Sequence, residues 1–234
     1  MTVGGEGGVQ FTLFSSEGAM TARPLVLVIH AFGGSPKKFW YPWLASSLEG
    51  HCDVQLLSTR GPPEEVAARV EDLAASAASA AAGAEEAEPR VLFLIGHSVG
   101  CQTIIRFLSL PSTTSLLFPS PPSSPRLKLG GCLCVAAWFA IVDPWAAIAP
   151  WCTEPIDDAA VRATLGRAGA PLRVLLSDND RYSPDFAAEG AAWLVRFGSG
   201  AAGAAVTVEV VHGRSHFGGK RQQEVLDAAL SLLG

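Results

Sequence analysis

Short apolar runs rich in Val, Leu and Ile recur along the chain, separated by longer stretches whose apolar positions are spaced for helices. The runs are LVLVIH (25–30), CDVQLLS (52–58), VLFLIG (91–96), GCLCVAA (131–137), LRVLLS (172–177) and VTVEVV (206–211). Continuous rather than alternating hydrophobicity is what strands buried on both faces require. Helices are predicted over about 38–49, 63–82, 99–109, 157–167, 185–197 and 219–233. Strand and helix alternate throughout, which predicts an α/β fold: a three-layer α/β/α sandwich around a six-stranded, mainly parallel sheet. With the strand order 2-1-3-4-5-6, the loops after the first and third strands diverge and leave a crevice at their carboxyl ends.

Two segments break the rhythm. PSTTSLLFPSPPSSP (111–125) is dense in Pro and Ser and reads as a flexible surface insert rather than a helix or central strand. WFAIVDPWAAIAPWCTEP (138–155) follows the fourth strand and carries Trp138, Trp145 and Trp151 with little periodicity. Its large rigid rings suit either a pocket wall or packing against the sheet.

Composition narrows the class. A chain of 234 residues, 49% of them hydrophobic, can bury one large core and is expected to form a single domain. A net charge of −5 gives no broad basic field, which disfavours nucleic acid or an anionic membrane surface as partner and favours a small-molecule substrate. The five cysteines (Cys52, Cys101, Cys132, Cys134, Cys152) contain no CxxC pair and mostly sit in apolar runs, as expected of free thiols in a reducing compartment. The N-terminal MTVGGEGGVQFTLF lacks the basic start and long apolar stretch of a signal peptide, so the expectation is a soluble, cytoplasmic protein. No HExxH or zinc-type cysteine spacing occurs, and no metal or other cofactor is expected.

The chemistry-bearing motif is GHSVG (96–100), lying directly after the third apolar run and directly before the helical pattern CQTIIRFL. Flanking glycines let strand turn sharply into helix, which holds Ser98 in a strained backbone with its hydroxyl presented: a nucleophile elbow. A serine hydroxyl needs a base to take its proton, and elbow enzymes place the acid and then the histidine downstream. His216 stands in a short loop between the last strand and last helix, with His212 at the strand end as its competitor. Asp178 and Asp180 lie in the polar turn after the fifth strand, and Asp143 follows the fourth; each is a carboxylate of the type that orients an imidazole. His30 opens HAFGGS, whose Gly33 and Gly34 permit a loop with inward backbone N–H groups. The expected oxyanion donors are the N–H of Val99 and that of Phe32 or Ala31. His97 is read as positional, because it does not easily fold back onto the neighbouring hydroxyl.

Together these blocks resemble the small serine hydrolases typified by retinoblastoma-binding protein 9 and its bacterial relatives. The likeness runs through LVLVIHAFGG, FWYPWLASSLE, GHSVGCQTIIRFL, WFAIVDPW to APWCTEPID, LLSDNDRYSP and SHFGG. It implies an α/β-hydrolase core without a large lid, and esterase- or amidase-like cleavage, carboxyl ester before peptide or amide. Carried over by residue, it implies Ser98 as nucleophile, His216 as base and Asp180 as acid, the last chosen because Pro184 stands four residues beyond it. Ser215 precedes the base where relatives typically have Gly, and the 111–125 stretch looks inserted. The LxCxE retinoblastoma-docking motif is absent, so that partner is not implied.

The expected chemistry is therefore acyl transfer from a small ester or amide to water through an acyl-enzyme on Ser98. A catalytically idle binding protein of the same fold and an acyltransferase using the same serine are the alternatives. The expected pocket residues are His30, Phe32, Trp138, Phe139, Trp145, Trp151 and Tyr182.

Overall fold

Six strands, β1 (Leu25–Ile29), β2 (Asp53–Leu57), β3 (Arg90–His97), β4 (Leu127–Val135), β5 (Leu172–Ser177) and β6 (Val206–Val211), pair in one parallel sheet of order β2-β1-β3-β4-β5-β6. The computed structural model describes residues 23–58, 60–80, 88–119, 127–198 and 205–234. Both the strand order and the parallel pairing agree with the apolar runs. Alternate residues of one run serve opposite faces: Leu25, Leu27 and Ile29 of β1 join one core cluster, and Val26 and Val28 the other. The outer strands β2 and β6 are covered less completely. Asp53 and Gln55, like Thr207 and Glu209, alternate outward to water, as one-sided burial dictates.

Helices α2 (Pro63–Ala80), α3 (Val99–Ser109), α4 (Pro111–Leu117), α6 (Asp158–Ala168) and α7 (Phe186–Trp193) send residues into the first cluster. Helices α1 (Tyr41–Leu48) and α8 (Gln223–Leu233) cover the opposite face through Tyr41, Leu44, Leu48, Val225, Ala228 and Ala229. A short α5 (Ala149–Thr153) lies within the stretch after β4, and α7 runs into a π-type turn, Leu194–Gly198. Among the described residues, no helix is long and apolar enough to cross a membrane.

The insert at 111–125 departs from expectation in its first half. Pro111 sits in the first turn of α4, where a missing backbone N–H costs nothing, and Thr113 and Leu117 are buried beneath the helix. Helix geometry therefore overrides the loop-like composition there; residues 120–125 lie outside the described residues.

The carboxyl ends of β1 and β3 meet at the point where the chain order reverses. There Gly100, at the start of α3, packs so closely on β1 that a Cβ would stand 2.2 Å from the Ile29 carbonyl oxygen. Gly96 is equally confined, with the Cys101 amide nitrogen 2.6 Å from where a Cβ would be. The two glycines of GHSVG are thus required by backbone-on-backbone contact on both sides of the serine.

Candidate active site

Ser98 occupies the turn between β3 and α3 at φ 57 and ψ −117, a conformation that L-residues rarely adopt. Its amide donates to the Val135 carbonyl of β4 at 2.9 Å, which ties the elbow to the neighbouring strand. Val99 is the first residue of α3, so its N–H precedes the intrahelical ladder and has no acceptor within the helix. The Ser98 Oγ accepts a hydrogen bond from Trp138 Nε1–H at 3.1 Å. Trp138 is itself fixed by the Gln102 amide, which donates to its backbone carbonyl.

The downstream partners converge through a ladder of hydrogen bonds between two loops. Residues 177–180, at the end of β5 and in the loop after it, bind residues 212–216 of the loop after β6, nearly one for one. Asp178 accepts from the Gly213 N–H at 2.8 Å and from His212 Nδ1–H at 2.7 Å. Ser177 Oγ accepts from the Arg214 N–H at 3.0 Å and donates to Asn179 Oδ1 at 2.9 Å, and that oxygen also takes the Ser215 N–H at 2.6 Å. Asp180 completes the series: its Oδ2 accepts from His216 Nδ1–H at 2.6 Å, while Oδ1 takes the Tyr182 N–H at 3.0 Å.

This ladder separates the candidate acids. Asp180 is buried and bonded to His216, whereas Asp178 binds His212, whose side chain is 88% exposed. Two donors, the Gly213 amide and His212, hold the Asp178 carboxyl below its ordinary range. Asp143 lies on the surface at φ 49, within the loop after β4. Because Nδ1 of His216 carries the proton toward Asp180, Nε2 is left as the basic nitrogen.

A cleft of about 130 Å³ receives Ser98 and His216 together with Phe32, Trp138, Trp145 and Tyr182. Ile141 and Ile148, from the stretch after β4, complete its wall. That stretch therefore serves both roles open to it: Trp138 and Trp145 face the cleft, while Trp151 is buried in a core cluster with Val66 and Val99. Three residues expected at the pocket lie elsewhere. His30 is buried, its Nδ1–H donating to the Ala31 carbonyl at 2.8 Å. Trp151 is drawn inward by α5. Phe139 turns away to pack on Trp193, with its ring centroid 4.6 Å from that indole and the Arg196 guanidinium 3.9 Å from the Phe139 ring centroid.

Ala31 is also excluded as an inward-facing donor, because its N–H donates to the Tyr41 hydroxyl at 3.0 Å. Among the described residues, six non-glycine positions have positive φ: Phe39, Ser98, Ala136, Asp143, Ser215 and Phe217. All lie in loops or turns at the carboxyl edge of the sheet, where such strain, of order 1–3 kcal/mol each, is held by the surrounding structure. Ser215, standing where the resembling hydrolases typically have Gly, is at φ 48, so the site keeps the left-handed turn without the residue that favours it.

No sequence-family model matches the chain, and no curated protein matches it in sequence. Solved structures do. The ydeN gene product from B. subtilis superposes with a TM-score of 0.54 at 21% identity, over 89% of this chain and 98% of that one. The chain has the α/β-hydrolase fold. Est1E from Butyrivibrio proteoclasticus with ferulic acid bound has a TM-score of 0.57 at 11% identity, covering 91% and 88% of the two chains. A lipase in its open form gives 0.54 at 14% identity, covering 91% and 90%. Within this fold the elbow, the cleft and the loop ladder all stand at the carboxyl edge of the sheet.

Among the described residues, no three His, Cys, Asp or Glu side chains are arranged to hold a metal ion. All five cysteines are free thiols, and burial raises Cys132 and Cys134 well above the ordinary thiol range, which keeps them in the unreactive protonated form. One buried carboxyl outside the cleft is also perturbed. Glu189 accepts from the Phe139 N–H at 2.9 Å and from Trp193 Nε1–H at 3.1 Å, yet burial pushes it up from 4.5 to about 7.

Between those two values the folded chain holds a proton that the unfolded chain has released. Stability therefore falls as pH rises from about 4.5 to 7 and levels off above it, by up to about 3 kcal/mol for this group. Thermal melting between pH 5 and 8 should show a loss that is clearly smaller in Glu189→Gln, and identical pH dependence of the two would remove Glu189 as its source.

Proposed function

We propose that the protein is a serine hydrolase of the retinoblastoma-binding protein 9 type, cleaving a small ester through an acyl-enzyme on Ser98. The observation that carries this reading is the 2.6 Å bond from His216 Nδ1–H to buried Asp180, in the same cleft as a serine on a strained elbow. His216 Nε2 takes the proton of Ser98 Oγ as that oxygen bonds to the substrate carbonyl carbon. The carbonyl oxygen becomes an oxyanion, received by the N–H groups of Val99 and Phe32. The tetrahedral adduct collapses, the leaving oxygen departs with the proton from His216, and the acyl group stays on Ser98. Water repeats the sequence, giving its proton to His216 and releasing the acid.

Asp180 keeps His216 in the tautomer that presents a basic Nε2 and offsets the charge of the imidazolium. Asp178 plays no part in that step in this reading; it holds the backbone of the base loop from the rim. Trp138 Nε1–H, donating to Ser98 Oγ, orients the hydroxyl and favours the oxygen as it loses its proton. The cleft supports a small acyl group. At about 130 Å³, walled by Phe32, Trp138, Ile141, Trp145, Ile148 and Tyr182, it is on the scale of the roughly 150 Å³ apolar cavity that accepts benzene.

Hydrolysis of p-nitrophenyl acetate should fall by about 10⁶-fold in Ser98→Ala. It should fall by about 10³- to 10⁴-fold in Asp180→Asn and by less than about ten-fold in Asp178→Asn. Equal losses at the two aspartates would reject the assignment of the acid. Across esters of graded length, kcat/KM should peak at two to four acyl carbons, at least about ten-fold above octanoate, and Ile148→Ala should move the peak to longer chains. A wild-type rate that climbs steadily to octanoate would contradict the small acyl site.

A further inference from the structure

His97, between the first glycine of the elbow and Ser98, is buried against the rings of Phe39, Trp40 and Tyr41. Both of its ring nitrogens are engaged. Nε2 lies 2.8 Å from the backbone carbonyl oxygen of His216, and Nδ1 lies 2.7 Å from the Tyr41 hydroxyl. A carbonyl oxygen only accepts, so the proton is on Nε2. Burial, with a smaller effect from His216, pushes His97 down to about 3, so the ring is neutral and has a single N–H. Nδ1 is then an acceptor, and the Tyr41 O–H donates to it. The same hydroxyl oxygen accepts the Ala31 N–H at 3.0 Å. Every hydrogen in the series is thereby assigned: Ala31 N–H to Tyr41, Tyr41 O–H to His97 Nδ1, His97 Nε2–H to the His216 carbonyl.

We propose that Tyr41 and His97 are positioning residues, whose hydrogen-bond series holds the oxyanion loop, the elbow and the base loop in one register. The proposal rests on the hydrolase reading above. Three loops from three separate strands must meet within bonding distance for that chemistry, and they start far apart. In the sheet, β6 lies three strands from β3, about 14 Å at the usual strand spacing. The ladder from the β5 loop fixes the base loop on its far side only. On its near side Phe217 packs into the cluster that holds Trp40 and Tyr41, and the polar contact there is the His97 bond to the His216 carbonyl, with the His97 and His216 rings 5.3 Å apart between centroids. The Tyr41 end performs the corresponding task for the first-strand loop. By holding the Ala31 N–H it fixes the His30–Ala31 peptide, one unit before the Phe32 N–H that is the proposed oxyanion donor. A shift of about 1 Å in such parts costs on the order of 100-fold in rate.

Substitutions distinguish this role from simple packing. Tyr41→Phe keeps the ring and removes the hydroxyl. His97→Asn places its amide near the Nδ1 position and loses the donor to His216; His97→Gln places an amide N–H near the Nε2 position and restores it. With p-nitrophenyl acetate, Tyr41→Phe and His97→Asn should each lower kcat by about 10- to 100-fold with KM within about two-fold of wild type. His97→Gln should recover at least about five-fold of the His97→Asn loss, and the Tyr41→Phe/His97→Asn pair should lose much less than the product of the singles. Unchanged kcat in Tyr41→Phe would overturn the proposal, as would a loss carried by KM, or full additivity of the pair. Should the His97 variants fail to fold, the kcat and KM of Tyr41→Phe decide it alone. A wild-type protein that hydrolyses no ester would instead refute the underlying hydrolase reading, whereas an active wild type with unaffected variants refutes only the series.

Discussion

The contact between α3 and β1 at Gly100 is the constraint on which the rest of the site depends. With a Cβ position 2.2 Å from the Ile29 carbonyl oxygen, nothing but glycine lets the helix begin there. The chain reaches that point only by passing through φ 57 at Ser98, and Gly96 makes room for the return. Because α3 starts hard against β1, the N-terminus of the helix and the loop after β1 face one small volume. The proposed oxyanion donors and nucleophile are placed by that approach.

The proposed base, His216, has to be brought to this volume from the far side of the sheet. Two sets of hydrogen bonds do so from opposite directions. On one side, Ser177, Asp178, Asn179 and Asp180 each take a group from residues 212–216, so a single tetrapeptide both orients the imidazole and shapes its loop. On the other, the His216 carbonyl meets the buried imidazole next to the nucleophile. The proposed acid is therefore one rung of a structural ladder, and its buried position distinguishes it from the half-buried aspartate two residues earlier. Ser215 and Phe217, both at positive φ, flank His216 and mark where its loop is bent.

Much of the fold was legible in the sequence because buried parallel strands leave an unmistakable trace: runs such as VLFLIG and LRVLLS lie within one or two residues of β3 and β5. The edge strands were legible too, and the alternation in VTVEVV reflects their single covered face. Composition misled at 111–125, where the Pro and Ser content hid a helix whose first turn tolerates proline. The elbow and the pairing of Asp180 with His216 could be anticipated from motif order and from family resemblance. The direction of individual side chains could not: Trp138 lines the cleft, whereas Phe139 packs half-buried against the core and Trp151 lies within a core cluster, which only the path of the chain after β4 decides. The Tyr41–His97 series was hidden for a similar reason, since it joins residues 56 positions apart through a tyrosine in the opening turn of α1.

The central claim is that Ser98 is an activated nucleophile in the cleft it shares with His216. Treatment of the folded protein with a fluorophosphonate, followed by peptide mass spectrometry, tests it most directly. The account predicts stoichiometric addition on the peptide containing Ser98, slowed in Asp180→Asn and absent in Ser98→Ala. No addition to folded wild-type protein, or addition at another residue, would contradict it.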